Sequence, residues 1–307
     1  MTKLSASLVK ELREKTGSGM MDCKKALTET NGDIDSAIDW LRTKGLSAAA
    51  KKSSRTTAEG LVSFYIEDNK AAIIEVNAET DFVSRNDIFQ EFVKKAAKLS
   101  ISTKGNLEDL LKYQASDNNT ISEELTNLIS TIGENMNMRR SDFLEVSKGF
   151  VSSYMHSSVA EGLGKIGVLV SIETDNTSSA IKDFGKKLAM HIAASNPRFI
   201  DIENVDQQTL DRERQVLSEQ ALESGKPKDV IDKMVDGRIK KFFDEIVLLE
   251  QLFILSDDKF KVKQEISKIE KELSTKITIK NFIRFSLGEG IEKEEKDFAS
   301  EVAEAVK

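Results

Sequence analysis

The chain has 307 residues, enough for two or more domains, each with its own core. Its 45 Lys+Arg against 52 Asp+Glu give a net charge of −7, which excludes a surface that grips nucleic acid all over and leaves only a local basic patch open. The single cysteine, Cys23, excludes an internal disulfide and suits a reducing compartment, while no apolar run reaches membrane-span length, so a cytoplasmic protein without a membrane partner is expected.

The opening Met1-Thr2-Lys3-Leu4-Ser5-Ala6-Ser7 has no signal-like apolar core. Ser5 is placed to cap a first helix carrying Leu8, Val9 and Leu12, which Gly17-Ser18-Gly19 ends. A second helix puts Met20, Cys23, Ala26 and Leu27 on one face. Gly32 breaks it, and Asp33 caps a third helix with Ile34, Ala37, Ile38 and Leu41 at i, i+3, i+4 and i+7, closed by Gly45. Three short helices over residues 1–45 bury little area, so this module is marginal alone. Of Met20 and Met21, one is expected in the core and the other as an adaptable apolar contact. Residues 46–59 are small, polar and locally basic, with no apolar face, and read as a linker.

Gly60 to Ile66 reads as a strand, Glu67-Asp68-Asn69 as a turn, and Ala71 to Glu79 as the returning strand. Ile74 and Val76 point one way, and Ile73, Glu75 and Asn77 the other. A helix follows over 87–101, with Ile88, Phe89, Phe92 and Val93 at helical spacing. At the hand-over sits Thr80-Asp81-Phe82-Val83, a large aromatic beside a carboxylate where the chain lies at the surface. Two readings fit. Thr80 or Asp81 caps the helix and Phe82 folds beneath it, or Phe82 anchors in a partner's pocket with Asp81 as its polar neighbour.

Leu107, Leu110 and Leu111 mark a short helix. Thr120 and Glu123 form a capping box for another that carries Leu125, Leu128, Ile129 and Ile132. Ile132-Gly133-Glu134-Asn135 and Arg139-Arg140 follow, then a strand over 143–146. On an acidic chain the arginines read as a solvated strand edge rather than a phosphate site. Gly149 to Met155, a longer turn, Ile166 to Glu173 and a helix over 179–194 repeat the hairpin-plus-helix pattern. Glu79-Thr80-Asp81 is echoed by Glu173-Thr174-Asp175, which aligns Phe82 with Asn176. A residue needed only for the local fold would stay apolar in both copies, so this comparison favours contact for Phe82.

Gln207 to Glu223 is helical, Gly225-Lys226-Pro227 stops it, and a second helix carries Val230, Ile231, Met234 and Val235. Together they predict an antiparallel hairpin with a thin apolar seam, either projecting towards another subunit or partner, or packed on the core. Val247 to Leu255 returns to the core, Asp257-Asp258 turns, and a helix is expected over 265–273. Residues 278–287 alternate Ile279, Asn281, Ile283 and Phe285 on one face with Phe282 and Arg284 on the other, as a strand does. Gly288-Glu289-Gly290 then turns into a last helix bearing Phe298, Val302 and Val306.

His156 and His191 are far apart and neither lies near Cys23, so no zinc-ligand spacing exists, and no metal is expected. There is no Gly-x-x-x-x-Gly-Lys-Ser/Thr phosphate loop and no Gly-x-Ser-x-Gly elbow; Gly162-Leu163-Gly164-Lys165 reads as a short turn. No catalytic residue and no cofactor are expected.

Several stretches carry a resemblance: Ser5 to Arg13, Thr16 to Leu27, Thr80-Asp81-Phe82-Val83, Ile132-Gly133-Glu134-Asn135, Ser153-Tyr154-Met155-His156, and Phe282 to Phe285 with Gly288 to Glu292. The chain resembles the bacterial elongation factor Ts family along essentially its whole length. The resemblance implies an α+β fold: a three-helix ubiquitin-associated-like module (1–45), a linker (46–59) and a core of two repeated hairpin-plus-helix subdomains (60–147, and 148–200 with 246–287). A helical hairpin or coiled coil (201–245) is inserted, and a C-terminal module (288–307) carries the last helix. It implies a guanine nucleotide exchange factor for elongation factor Tu, without bond chemistry of its own. Thr80, Asp81, Phe82 and Val83 would dislodge the partner's Mg²⁺. Met20, Lys24, Ile132, Gly133, His156, Ile254 and Leu255 would bind the partner. Ile254 and Leu255 depart from the family's common residues but stay apolar. A homodimer through the second core subdomain or the hairpin is a further partner reading, and no direct nucleic-acid contact is expected. Two other classes remain: an RNA-binding module using Lys51, Lys52, Arg55, Arg139 and Arg140, and an adaptor acting through residues 1–45 alone.

Overall fold

In the computed structural model, which describes residues 6–16, 18–116, 119–222 and 228–292, the chain opens with three helices: α1 (Ala6–Thr16), α2 (Met20–Glu29) and α3 (Ile34–Lys52). Leu12, Cys23, Ala26, Leu27 and Ala37 are buried between them. Asp33 caps α3 by accepting from the Ser36 N–H. The expected Ser5 cap and Gly17 lie outside the described residues. Helix α3 does not stop at Gly45. It runs seven residues further, into the stretch read as linker, because the alanines that follow favour helix and tertiary support outweighs the roughly 1 kcal/mol cost of one glycine. Gly45 is buried, with the Ser130 hydroxyl donating to its carbonyl, so the missing side chain lets α3 lie close on a later helix. Met20 and Met21 are both exposed, so neither fills the core.

Strands β1 (Glu59–Glu67) and β2 (Lys70–Ala78) form an antiparallel hairpin. A 3-10 turn (Val83–Arg85) leads into α4 (Asp87–Ser100), and α5 (Leu107–Lys112) and α6 (Ile121–Ile132) follow. The Thr120–Glu123 capping box opens α6 as the sequence predicts. Strand β3 (Met136–Glu145) begins well before the expected Phe143, because Met136 and Met138 already alternate into the core. The second unit comprises β4 (Gly149–His156), β5 (Leu163–Gly164), β6 (Ile166–Thr174) and α7 (Ser179–Ser195). After it come α8 (Gln207–Leu222), α9 (Lys228–Ile246), α10 (Val262–Leu273) and β7 (Ile277–Ser286). The Gly162–Lys165 stretch is more than a turn: β5 within it pairs with Val62 and Ser63 of the first sheet. The hairpin stop at Gly225-Lys226-Pro227 and the helix expected from Phe298 to Val306 lie outside the described residues.

Two antiparallel sheets result, in strand orders β3-β2-β1-β5 and β4-β6-β7. They pack face to face through Val62, Ile73, Leu144, Val151, Leu169, Ile283 and Phe285. Helices α4, α5 and α6 cover the outer face of the first sheet, and α7 and α10 that of the second. β2 is therefore buried on both faces, which explains the apolar run from Ala71 to Ile74. Helices α8 and α9 share a narrow seam of Leu217, Ala221, Ile231, Val235 and Ile239, and a second cluster of Val205, Ile246 and Val247 holds their base.

Both units contain an antiparallel strand pair followed by a helix, and their register differs from the sequence echo. Gly60 pairs with Asn77 and Gly149 with Glu173. Each unit's third strand then carries a bulge, opposite Glu75/Val76 in one and Ser171/Ile172 in the other. Structurally, Asn77 thus matches Glu173, and Phe82 falls opposite Ser178 rather than Asn176. Short acidic strings outscored strand pairing in the sequence comparison. The second copy is polar in either alignment, so the inference drawn for Phe82 is unchanged.

The bulges correct two further expectations. In β7, Asn281 pairs with Ser171 and Ile279 with Ile172, leaving Lys280 unpaired. The extra residue flips the alternation: Ile279 joins Phe282 on the α7 side, while Ile283 and Phe285 face the first sheet. In β3, Arg140 pairs with Glu75 and Met138 with Val76, so Arg139 is the extra residue. Both guanidiniums consequently reach one carboxylate, with Arg139 Nη1 3.1 Å and Arg140 Nε 2.6 Å from Glu75, which is 0% exposed. The arginine pair does lie on an edge strand, half-exposed, but its guanidiniums are committed to the buried Glu75 carboxylate rather than left to solvent.

Candidate functional site

The Thr80–Val83 segment divides sharply. Val83 is 3% exposed and packs into the first core, whereas Phe82 is 75% exposed and Asp81 lies beside it at the surface. Neither Thr80 nor Asp81 caps α4. Asn86 does so, accepting from the Ile88 and Phe89 N–H groups. The local reading of Phe82 as a residue tucked beneath the helix therefore fails, and its ring stands at the surface.

The turn is held at both ends. Downstream, Val83 is buried, the Ser84 and Arg85 N–H groups donate to the Asp81 and Phe82 carbonyls, and the Gln90 amide donates to the Ser84 carbonyl. Upstream, the Glu134 carboxylate accepts from the Thr80 N–H at 3.0 Å and from the Thr80 hydroxyl at 2.8 Å. Glu134 reaches that position because Gly133 ends α6 in a left-handed conformation, φ 89°, which turns the chain back. Asn135 donates its N–H to Glu79 and its side-chain amide to the Arg55 carbonyl at 2.8 Å, and Arg55 lies 3.3 Å from Glu79. The structure thus brings Thr80–Val83 and Ile132–Asn135 together. Ile132 is half-buried against the core, and Gly133 is exposed.

Helix α6 also meets the N-terminal helices. Arg42 pairs with Glu123, and a cleft of about 190 Å³ separates Gly19, Asp22 and Trp40 from Asn127, Ser130 and Thr131. Met20 at 58% and Met21 at 74% exposure, with Lys24, present a free apolar and basic edge of α2. Cys23 behind them is buried, and that burial pushes its thiol pKa up, so it is a packing residue.

The remaining residues belong to the second unit. His156, exposed at the end of β4, receives or gives a hydrogen bond from its Nδ1 to the Tyr154 hydroxyl at 3.1 Å. Leu252, Ile254 and Leu255 are exposed at 64%, 54% and 38% on a turn anchored by Phe253, which packs on Phe184 and His191. His191 is 0% exposed. Burial lowers its pKa, so the ring is neutral. The Ile254 N–H donates to Nδ1 at 3.4 Å, which assigns the proton to Nε2 and its 2.9 Å hydrogen bond to Gln251 Oε1. Sequence reasoning weighed His191 only as a metal ligand and missed Leu252; a lone histidine in an amphipathic helix gives no sign of which turn it supports.

Among the described residues, no group of three His, Cys, Asp or Glu side chains could hold a metal, and no helix is long and apolar enough to cross a membrane. The basic residues raised as RNA ligands are partly committed: Arg55 to Glu79, Arg139 and Arg140 to Glu75. What the surface presents is a set of apolar side chains on rigid turns and one helix edge, suited to contact with another macromolecule.

A family model described as Elongation factor TS matches residues 79–289. A protein named elongation factor Ts from Rhodospirillum rubrum is 53% identical over 309 aligned residues and is covered, like this chain, at 100%. Proteins of the same name from Rhodospirillum centenum and Paramagnetospirillum magneticum are 52% and 53% identical, covering 99% of this chain and 99% and 97% of their own lengths.

Proposed function

The chain belongs to the elongation factor Ts family, and from that premise we propose that it is a guanine nucleotide exchange factor that binds GDP-bound elongation factor Tu and speeds GDP release. It forms and breaks no bond. Its binding and the binding of GDP oppose each other through the partner, so by linkage each weakens the other by the same factor. The observation that carries this reading is Phe82, three-quarters exposed on a turn held at both ends.

The physics of such a site is that of a wedge. A phenylalanine offers a large rigid apolar face with two side-chain torsions, so little freedom is lost when it enters a pocket. Phe82 and Asp81 enter beside the partner's Mg²⁺ site, shift the helix behind it, and disturb the metal's coordination and the phosphate loop. Thr80 and Val83 act from within this chain, one clamped and one buried. Met20 and Lys24 on α2, Ile132 and Gly133 at the end of α6, His156, and the Ile254–Leu255 turn hold the partner at further points, so that binding energy is available to drive the wedge.

The test is release of a fluorescent GDP analogue from the cognate elongation factor Tu. Wild type is expected to accelerate release, and folded Phe82→Ala to do so about 30-fold less, equivalent to roughly 2 kcal/mol. Equal acceleration by both proteins removes Phe82 from the mechanism, and no acceleration by either removes the exchange function.

A further inference from the structure

We propose that Glu134 is a positioning residue for Phe82: its carboxylate fixes the turn that carries the wedge, and does so before any partner arrives. The inference rests on the exchange-factor reading above and adds a residue that touches neither nucleotide nor the wedge's own ring.

The geometry is specific. Thr80 is the residue where β2 has ended and the exposed pair Asp81-Phe82 is about to begin. At such a point the backbone N–H has left the strand ladder and its ordinary partner is water. Here one carboxylate takes both donors of Thr80, the N–H on Oε2 and the hydroxyl on Oε1. Two charge-assisted bonds on one residue fix its orientation as well as its position. The next residue of the same turn repeats the device, with the Asn135 N–H on the Glu79 carboxylate. Two residues following β2 are therefore crossed with two residues following α6.

The other side of Phe82 needs no such device, because Val83 is buried and Asn86 caps α4. Phe82 itself has φ −60° and ψ −36°. Its backbone hangs between the clamp and the core, and only its side-chain torsions remain free. Without Glu134 the upstream end would be held by the pairing of Ala78 in β2 and by Glu79, with Thr80 itself released, and the ring would sample orientations that must be frozen out when it enters the partner.

A double-mutant cycle separates positioning from mere stability. Glu134→Ala, Phe82→Ala and the double variant are compared for the GDP-analogue release rate at saturating exchange factor and for the factor concentration at half-saturation, with thermal melts to show that each is folded. Glu134→Ala is expected to lower the saturated release rate about tenfold, while the half-saturating concentration moves less than threefold. On the Phe82→Ala background it should have no further effect, because there is no wedge left to place. Glu134→Gln, which keeps one acceptor oxygen, should retain most of the rate. Thr80→Ala, which removes only the hydroxyl, should fall between, and stands in if Glu134→Ala does not fold. Losses that multiply in the double variant, or a wild-type rate for Glu134→Ala where Phe82→Ala is impaired, overturn the inference and leave the exchange function standing. A Phe82→Ala protein as active as wild type overturns the wedge itself, and the positioning role with it.

Discussion

Glu75 shows how a single residue can hold distant parts of the chain. It lies in the middle of β2 with no exposed surface, yet it takes hydrogen bonds from Arg139, Arg140, Asn77 and, at 2.8 Å, the Gly288 N–H beyond β7. Burial pushes its pKa up, but the Gly288 N–H, Asn77 and Arg140 together outweigh burial and hold it below the ordinary carboxylate range. A carboxylate with a lowered folded-state pKa stabilises the fold above its unfolded value, near 4.3, and that contribution is lost as pH falls towards the folded value. Glu75→Ala leaves two half-buried guanidiniums facing an empty site and should cost about 3 kcal/mol in urea unfolding. Glu75→Gln should cost less, and its stability should fall less steeply than wild type's between roughly pH 5 and 3, by up to about 1.4 kcal/mol per pH unit. Parallel pH profiles for the two proteins would show that the carboxyl titrates alike in both states. None of this was legible in the sequence, where Glu75 looked like one polar residue on an alternating strand. The signal was a pair of adjacent arginines, and only a bulge lets adjacent residues of a strand reach the same group.

At the scale of elements, the two repeated units can be compared position by position. Each opens with a glycine in a conformation closed to other residues, Gly60 at φ 122° and Gly149 at φ 131°. A Cβ would lie 2.2 Å from the Val76 carbonyl oxygen in the first and 2.0 Å from the Ile172 carbonyl oxygen in the second. The hairpin needs both the backbone conformation and the close approach, so Gly60→Ala and Gly149→Ala should each destabilise by about 3 kcal/mol or more, read as a fall in the urea midpoint. A change under 1 kcal/mol at either position would mean that the strand start relaxes freely. The hairpins, α4, α6 with its capping box, α7 and the α8–α9 pair were legible because periodicity and caps are local. What local patterns could not give were β5, the early start of β3, the flipped face of β7 and the continuation of α3. Each depends on a partner far away in sequence. The candidate site divides in the same way: an aromatic beside an acid at a strand–helix junction is visible in the sequence, whereas the clamp from Glu134 to Thr80 joins residues 54 apart.

For the whole molecule, the distribution of buried residues sets which parts unfold together. Each sheet packs its own helices on its outer face, and the two share an inner layer in which Leu169 of β6 and Ile73 of β2 are both fully buried, so loss of either sheet exposes the inner face of the other. The N-terminal helices are different: among the described residues their interior is five buried side chains, joined to the rest along α6 by Arg42–Glu123, the Ser130–Gly45 hydrogen bond and the packing of Ala49 against the first core. The ion pair and the hydrogen bond contribute about 1 kcal/mol each and the small Ala49 side chain adds little apolar area, so the module is expected to unfold before the sheets. The chain's one tryptophan, Trp40, sits in this module at its cleft with α6 and so reports on the module and its docking there. In a urea titration, Trp40 fluorescence should therefore change at lower denaturant than far-ultraviolet circular dichroism, which follows the whole chain. Leu169→Ala, cutting a fully buried side chain at the sheet interface, should lower the later transition by about 2–5 kcal/mol and leave the earlier one in place. Coincident transitions that shift together in the mutant would show instead that α6 couples the module to the sheets cooperatively. In that case unfolding of the N-terminal helices would also release the Ile132–Asn135 turn, and the Phe82 wedge would be only as well ordered as the module beside it.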